Sequence, residues 1–253
     1  MRKVYLNIIF IFLISCAEKD WKEIHYPNGN VKVRVQLDKD GIPNGIHEEF
    51  FESGKLKLRS TSTNGKLLDT VKVYSQDGYL KEKGLMRNGL KDSWWSELDK
   101  KGNKYIDREY VIKNNDTILE NQIKKYKDNG ELDLTSSWFF NVKVEDSLSN
   151  GKLNGKVTYH SNFKPEDQFL YMVVNKDTFY GRNNEISFSV KIENQDTIQL
   201  SGEIFEEVLA VEKINDTLSS LKQETYNKYF KQKFIVVDSV VSKTRDLKKL
   251  RYL

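Results

Sequence analysis

The sequence predicts a mainly β protein: an antiparallel β-hairpin repeat meander followed by a β-sandwich-like domain with one short helix. Three observations lead there. Glycines return at a nearly fixed step through the first half, Asn-Gly and Asp-Gly pairs separate short aromatic and β-branched runs, and only 3 prolines occur in 253 residues. Type I′ turns need positive φ at both central residues, so Asn-Gly and Asp-Gly are hairpin signals. They stand at Asn28-Gly29, Asp40-Gly41, Asn44-Gly45, Asn64-Gly65, Asp77-Gly78, Asn88-Gly89, Asn129-Gly130, Asn150-Gly151 and Asn154-Gly155. With 38% hydrophobic and 31% charged residues, and 13 Tyr and 13 Phe, the composition is that of a β-rich chain with a wet surface, neither disordered nor membrane-spanning.

Residues 1–15 read as a processing signal. Arg2 and Lys3 precede an apolar run from Val4 to Ile14. Its 11 residues would span only about 16 Å as a helix, short of the roughly 30 Å hydrocarbon core. The segment closes on Leu13-Ile14-Ser15-Cys16, which resembles the bacterial lipoprotein signal, and that resemblance implies a diacylated Cys16 as first mature residue. Cys16 is the only cysteine, so no disulfide can form within the chain. Removing Arg2 and Lys3 with the signal takes the formal charge from +4 to +2. Residues 16–24 are expected as an acylated tether. By analogy with envelope lipoproteins, the lack of Asp directly after Cys16 favours the outer membrane.

Residues 25–140 carry the repeats. Gly29, Gly54, Gly78, Gly102 and Gly130 lie 25, 24, 24 and 28 residues apart, preceded at four residues by His25, Phe50, Tyr74, Leu98 and Tyr126. A second series, Gly41, Gly65 and Gly89, sits 13 residues before Gly54, Gly78 and Gly102. Two turns per unit imply two strands per unit, in a sheet whose hairpins stack only on their neighbours. Tyr26-Pro27-Asn28-Gly29-Asn30-Val31-Lys32, Phe51-Glu52-Ser53-Gly54-Lys55-Leu56-Lys57, Tyr74 to Lys81 and Tyr126 to Leu132 resemble the MORN-variant repeat. Arg87 to Trp95 resembles its second half, with Ser93 where that family has another Gly. The match spans about residues 21–132. It implies a binding role, often labelled as the antitoxin component of a toxin–antitoxin pair, and names no catalytic residue.

A different turn recurs, first at Asn114-Asn115-Asp116-Thr117 and then, within residues 141–242, at Asn175-Lys176-Asp177-Thr178, Asn194-Gln195-Asp196-Thr197 and Asn215-Asp216-Thr217. It separates strand-like runs Phe169 to Val174, Ile186 to Ile192 and Ile198 to Ile204, the second alternating between apolar and polar residues. Ser220-Leu221-Lys222-Gln223 resembles a capping box, and Leu218, Leu221, Thr225 and Tyr229 lie at helical spacing, predicting a helix over 218–231. Phe234 to Val237 and Val240-Val241 add a strand, and 243–253 form a basic tail.

Chemistry-bearing clusters are scarce. His25, His47 and His160 share no ligand spacing, so neither metal nor cofactor is expected. Glu48-Glu49 and Glu206-Glu207 are adjacent, and neighbours on a strand face opposite ways, so neither pair can act as a catalytic dyad; a solvated face accounts for them. No nucleophile elbow or phosphate loop is present, and the expectation is a non-enzyme. Lys and Glu or Asp are interleaved without a basic stripe, which argues against nucleic acid. The adjacent aromatics His25-Tyr26, Phe50-Phe51, Trp94-Trp95 and Phe139-Phe140 each place one ring on either side of a sheet. Those rings either pack along the sheet or offer a platform for a protein or glycan, with Trp94, Trp95, Tyr26 and Phe51 as candidate contacts. The expected function is a lipid-anchored cell-envelope binding or scaffold protein; the alternative is an immunity protein neutralising a toxin in the envelope.

Overall fold

A computed structural model describes residues 20–67, 70–114, 117–163, 168–192, 197–213, 219–237 and 240–243. The expected signal segment, Cys16 and the tail past Lys243 lie outside the described residues. Every regular element among those described is a strand.

The first eleven strands are β1 (Trp21–His25), β2 (Val31–Leu37), β3 (Pro43–Phe50), β4 (Leu56–Thr63), β5 (Lys66–Leu67), β6 (Thr70–Tyr74), β7 (Leu80–Arg87), β8 (Leu90–Leu98), β9 (Lys104–Lys113), β10 (Thr117–Tyr126) and β11 (Leu132–Val144). Each pairs antiparallel with its sequence neighbour, except that β4 pairs both β5 and β6, giving the expected meander. The tether expected over 16–24 is shorter than that, because Trp21 already pairs with Gln36.

The two glycine series mark the two ends of the strands, and two kinds of turn are used. At one end the Tyr26 amide donates to Asn30 O at 2.8 Å and the Gly29 amide to Tyr26 O at 2.9 Å, a pattern repeated at Phe51/Gly54, Ser75/Gly78, Asp99/Gly102 and Lys127/Gly130. Only the glycine is left-handed there, with φ between 81° and 94°. This is a type I turn closed by a left-handed glycine rather than the expected type I′. The preceding residue serves through its side chain: Asn28 Oδ1 accepts the Asn30 amide and Asn129 Oδ1 the Glu131 amide, each at 3.0 Å. At the other end Asn64-Gly65 and Asn88-Gly89 have positive φ at both residues, as type I′ requires, whereas Asp38 to Ile42 repeats the first pattern with only Gly41 left-handed. Asn44-Gly45 and Asn154-Gly155 are not turns and lie inside strands.

Equivalent turns touch across one repeat, which explains the period. Tyr26 Oη donates to Phe50 O at 2.8 Å, Asn30 Nδ2 to Glu52 O at 2.8 Å, and Lys55 Nζ to Gln76 O at 3.0 Å. Beyond the first four of these turns the register slips by one residue, leaving Lys32, Lys57, Lys81 and Tyr105 exposed in the slip. Little core is available in a single layer, and Trp95, 2% exposed, supplies much of it. Its ring lies across Gly84, its cross-strand partner, where a Cβ would fall 2.4 Å from the indole. The indole N–H donates to Leu85 O at 2.8 Å.

β11 passes across the boundary expected at 140 and 141 without a break, pairing β10 through Ile123–Trp138 and then β12 (Lys152–His160). The remaining strands are β13 (Gln168–Val174), β14 (Asp177–Arg182), β15 (Glu185–Lys191), β16 (Thr197–Lys213), β17 (Ser219–Val237) and β18 (Val240–Lys243). Neighbour order is β11-β12-β15-β14-β13-β16-β17-β18. The sheet curls so that Leu153, Val157, Ile186 and Phe188 meet Met172 and Ile204 in one core, the sandwich-like part of the predicted fold. The helix expected over 218–231 is absent: Ser219 to Val237 is one strand, paired with β16 from Thr197–Ile235 to Lys213–Ser219. Helical spacing loses because β16 presents a continuous edge whose backbone groups need partners, and Thr225, Tyr226, Tyr229 and Phe230 suit a strand.

Gly84→Ala is expected to destabilise the protein by about 1–3 kcal/mol through overpacking against Trp95, measurable as a lower urea midpoint at unchanged m-value.

Candidate functional site

β8 departs from the regular pairing. Gly84 pairs with Trp95 and Leu85 with Asp92, so Ser93 and Trp94 have no partner on β7. Ser93 takes φ 62°, the conformation for which the repeat pattern has a glycine, at a cost of about 1 kcal/mol. The bulge leaves Trp94 and Trp95 on opposite faces. Trp95 is core and unavailable to a partner. Trp94 is half-buried, with Lys124 Nζ 4.9 Å from its ring centre and 4.8 Å from that of Phe139. His160 stacks on Phe139 at 4.3 Å and 18°. Burial, with Lys124 nearby, holds the imidazole below its ordinary range.

The other expected contacts do not join them. Tyr26 and Phe51 stand in neighbouring turns at the start of the meander, half-buried, with the Tyr26 hydroxyl committed to Phe50 O. Tyr26 thereby links one repeat to the next, and Phe51 closes its own turn through its backbone amide and carbonyl.

Trp94 instead lines a cleft where the meander meets the second unit. One part, about 750 Å³, lies between Ser93, Glu109 and Tyr110 on one side and Ser201, Glu203 and Tyr229 on the other. The adjoining part, about 370 Å³, is lined by Trp94, Gln122, Lys124, Asn141, Lys231 and Gln232. Both share Ser93, Glu109, Tyr229, Phe230 and Lys231.

A hydrogen-bonded network forms the floor. β10 slips between Glu120 and Gln122, so Asn121 has no strand partner on β9 and projects toward β17. Asn121 Nδ2 donates to Tyr229 O at 2.7 Å and Asn121 Oδ1 accepts the Tyr229 amide at 2.7 Å. Glu109 Oε2 accepts from Asn121 Nδ2 at 2.6 Å and from Gln122 Nε2 at 2.5 Å, and Gln122 Oε1 accepts the Phe140 amide at 2.9 Å. One carboxylate thereby orients two amides, one holding β17 and the other β11. Burial raises the Glu109 pKa above its ordinary value, against the two amide donors, and burial lowers that of Lys124. Lys113 Nζ donates to Tyr229 Oη at 2.7 Å, a second link between the units.

A second polar cluster sits inside the curled sheet. Glu206, 4% exposed, accepts from Tyr159 Oη at 3.0 Å and from the Ser161 hydroxyl. Lys228 Nζ lies 3.3 Å from the Trp138 ring centre, and burial pushes its pKa down to about 8. Glu206 and Glu207 face opposite sides as expected, but the solvated-face expectation fails for two acids: Glu206 is buried among these hydroxyls, and Glu48 is 6% exposed between Arg34 at 2.6 Å and Arg59 at 3.6 Å. A further hollow of about 660 Å³ between β11, β12 and β15 is bordered by Lys143, Glu145, Asp146 and Lys156, all exposed.

Glu109, Asn121, Gln122, Tyr229 and Lys231 escape sequence reasoning. Asn121 acts from a bulge that no turn residue announces, and Tyr229 and Lys231 belong to the segment read as helix. The cleft offers an aromatic ring, amides, a buried carboxyl and two ammonium groups, a set suited to holding a ligand with both apolar and hydrogen-bonding surfaces.

Asn121→Ala leaves the Tyr229 amide and carbonyl unpaired and is expected to cost about 2 kcal/mol in urea unfolding. Because the folded pKa of Glu109 lies above its ordinary 4.5, the native state binds that proton more tightly than the unfolded chain. Its stabilising share is therefore complete below pH 4.5 and falls as pH rises through the folded value. Glu109→Gln should remove that decline, giving a flatter stability profile across mildly acidic pH.

No protein-family model matches the chain, and no curated protein matches it. Among solved structures the chain is similar to a porin-like protein from Bacteroides uniformis, at 11% identity and a TM-score of 0.19, over 83% of this chain and 95% of that one.

Proposed function

We propose that this chain is a lipid-anchored binding protein of the cell envelope, capturing a protein or glycan partner on its repeat sheet and in the cleft where that sheet meets the second unit. The observation that carries the reading is the cleft itself: half-buried Trp94 beside Lys124, above a network of Glu109, Asn121 and Gln122 that fixes its walls. Binding energy concentrates where an aromatic side chain and desolvated polar groups meet in a pre-formed recess. The Leu13-Ile14-Ser15-Cys16 segment supplies the anchor in this reading, through acylation of Cys16. Two linked halves let the meander extend from the bilayer while the curled sheet closes one side of the site.

Cross-linking in intact cells followed by capture of the full chain tests the reading. Trp94→Ala is expected to reduce the recovered partner about tenfold while the thermal midpoint stays within a few degrees, since the ring is not core. Equal recovery with the variant would remove the cleft from the proposal. Cys16→Ser is expected to move the protein from the membrane fraction to the soluble one and to abolish incorporation of labelled palmitate; retention with the membranes would remove the anchor.

A further inference from the structure

An aromatic surface on the second unit serves neither the core nor the junction. Phe169 and Tyr171 of β13, Tyr180 of β14 and Phe205 of β16 form one cluster. Tyr171 stacks on Phe205 at 4.9 Å and 11°, and lies 5.8 Å from Phe169 and 6.3 Å from Tyr180, each tilted by 45°. Phe169 and Tyr180 are 5.7 Å apart. The register assembles them, because Tyr171 pairs with both Tyr180 and Phe205. Alternation turns them away from the core residues Leu170, Met172 and Ile204. Phe169 is 50% exposed and Tyr180 66%. Contiguous exposed rings on strands held in register by their neighbours mark an interaction surface.

The polar groups beside the rings say what kind of partner fits. Glu207 on the same face accepts from Tyr171 Oη at 3.2 Å and from Gln223 Nε2 at 3.0 Å. Thr225 and Asn227 of β17 pair with Glu207 and Phe205, and Glu203, one step further along this face, lines the cleft. The Glu207 carboxylate beside the rings disfavours an anionic ligand, and a wholly apolar partner would strip the water from its charge. A pyranose chain suits both features, its C–H faces lying on the rings and its hydroxyls donating to carboxylate and amide oxygens.

We propose that the Phe169, Tyr171, Tyr180 and Phe205 face docks an uncharged polysaccharide, with Glu207 and Gln223 bonding its hydroxyl groups. The proposal rests on the binding-protein reading and gives it a partner class. Its surface is contiguous with the cleft through Glu203 and Phe205, so a chain laid along β16 runs toward Trp94.

Native electrophoresis of the full chain in detergent, through gels containing laminarin, hydroxyethylcellulose, yeast mannan or heparin, tests it. Retardation by at least one of the three neutral polymers is expected. Tyr180→Ala and Phe169→Ala should each weaken that retardation about tenfold in apparent affinity, at an unchanged thermal midpoint because both rings are half or more exposed. The proposal is overturned by no retardation in any neutral polymer, by retardation in heparin alone, or by full affinity in Tyr180→Ala. A concentration-dependent dimer in sedimentation that Tyr180→Ala dissolves would overturn it too, by assigning the face to a second copy. The readout needs neither acylation nor Trp94, so its failure leaves the anchored-binding reading standing.

Discussion

The pairing of the Asn121 side chain with the backbone of Tyr229 is the contact on which the arrangement of the two halves depends. β16 occupies one edge of β17, whereas β18 reaches the other edge only from Phe234 onward. At Tyr229 that second edge would present a bare amide and carbonyl. A side-chain amide carries an acceptor oxygen and two N–H donors, so it can satisfy both backbone groups as a neighbouring strand would and still donate to Glu109. Asn121 is free to do so because the slip in β10 takes it out of the ladder with β9. Glu109 then fixes its rotamer, and the same carboxylate fixes Gln122 against the Phe140 amide of β11. The cleft has defined walls because both linkages originate on β9 and β10.

The meander is held differently. A single layer has no second sheet to bury its faces against, so its strands rely on neighbours: Trp95 across Gly84, Glu48 between Arg34 and Arg59, and Arg108 between Glu97 at 2.7 Å and Glu120 at 2.5 Å. The turns add side-chain to backbone bonds from one repeat to the next. Such contacts are local, so stability accumulates hairpin by hairpin. The curled sheet behind β11 has a continuous apolar core and tolerates a buried Glu206 and Lys228 within it, each with its charge disfavoured by burial.

The two aromatic surfaces follow from this division. Trp94 is positioned by an irregularity in β8 and by the docking of the second unit, so its exposure depends on the junction. The Phe169, Tyr171, Tyr180 and Phe205 cluster depends only on the pairing of β13 with β14 and β16. One surface can be altered without disturbing the other, which makes the cleft and the outer face separable in function.

The sequence by itself determined the β class, most of the strands and turn positions, and the opposite facing of adjacent pairs such as Glu48-Glu49 and Trp94-Trp95; Asn44-Gly45 and Asn154-Gly155, which local chemistry marks as turns, lie inside strands. Those features follow from the two-residue period of a strand and from the local chemistry of Asn, Asp and Gly. It also placed the repeat boundaries, because equivalent turns must touch at a fixed separation. The tertiary structure alone decided that 219–237 is a strand, since the demand came from the long open edge of β16 and outweighed a helical spacing. It alone decided that Trp95 is core while Trp94 faces a cleft, and that Asn121 links the halves. Bulges and docked edges bring together residues more than a hundred positions apart, and no local pattern encodes which unpaired amide an asparagine will meet.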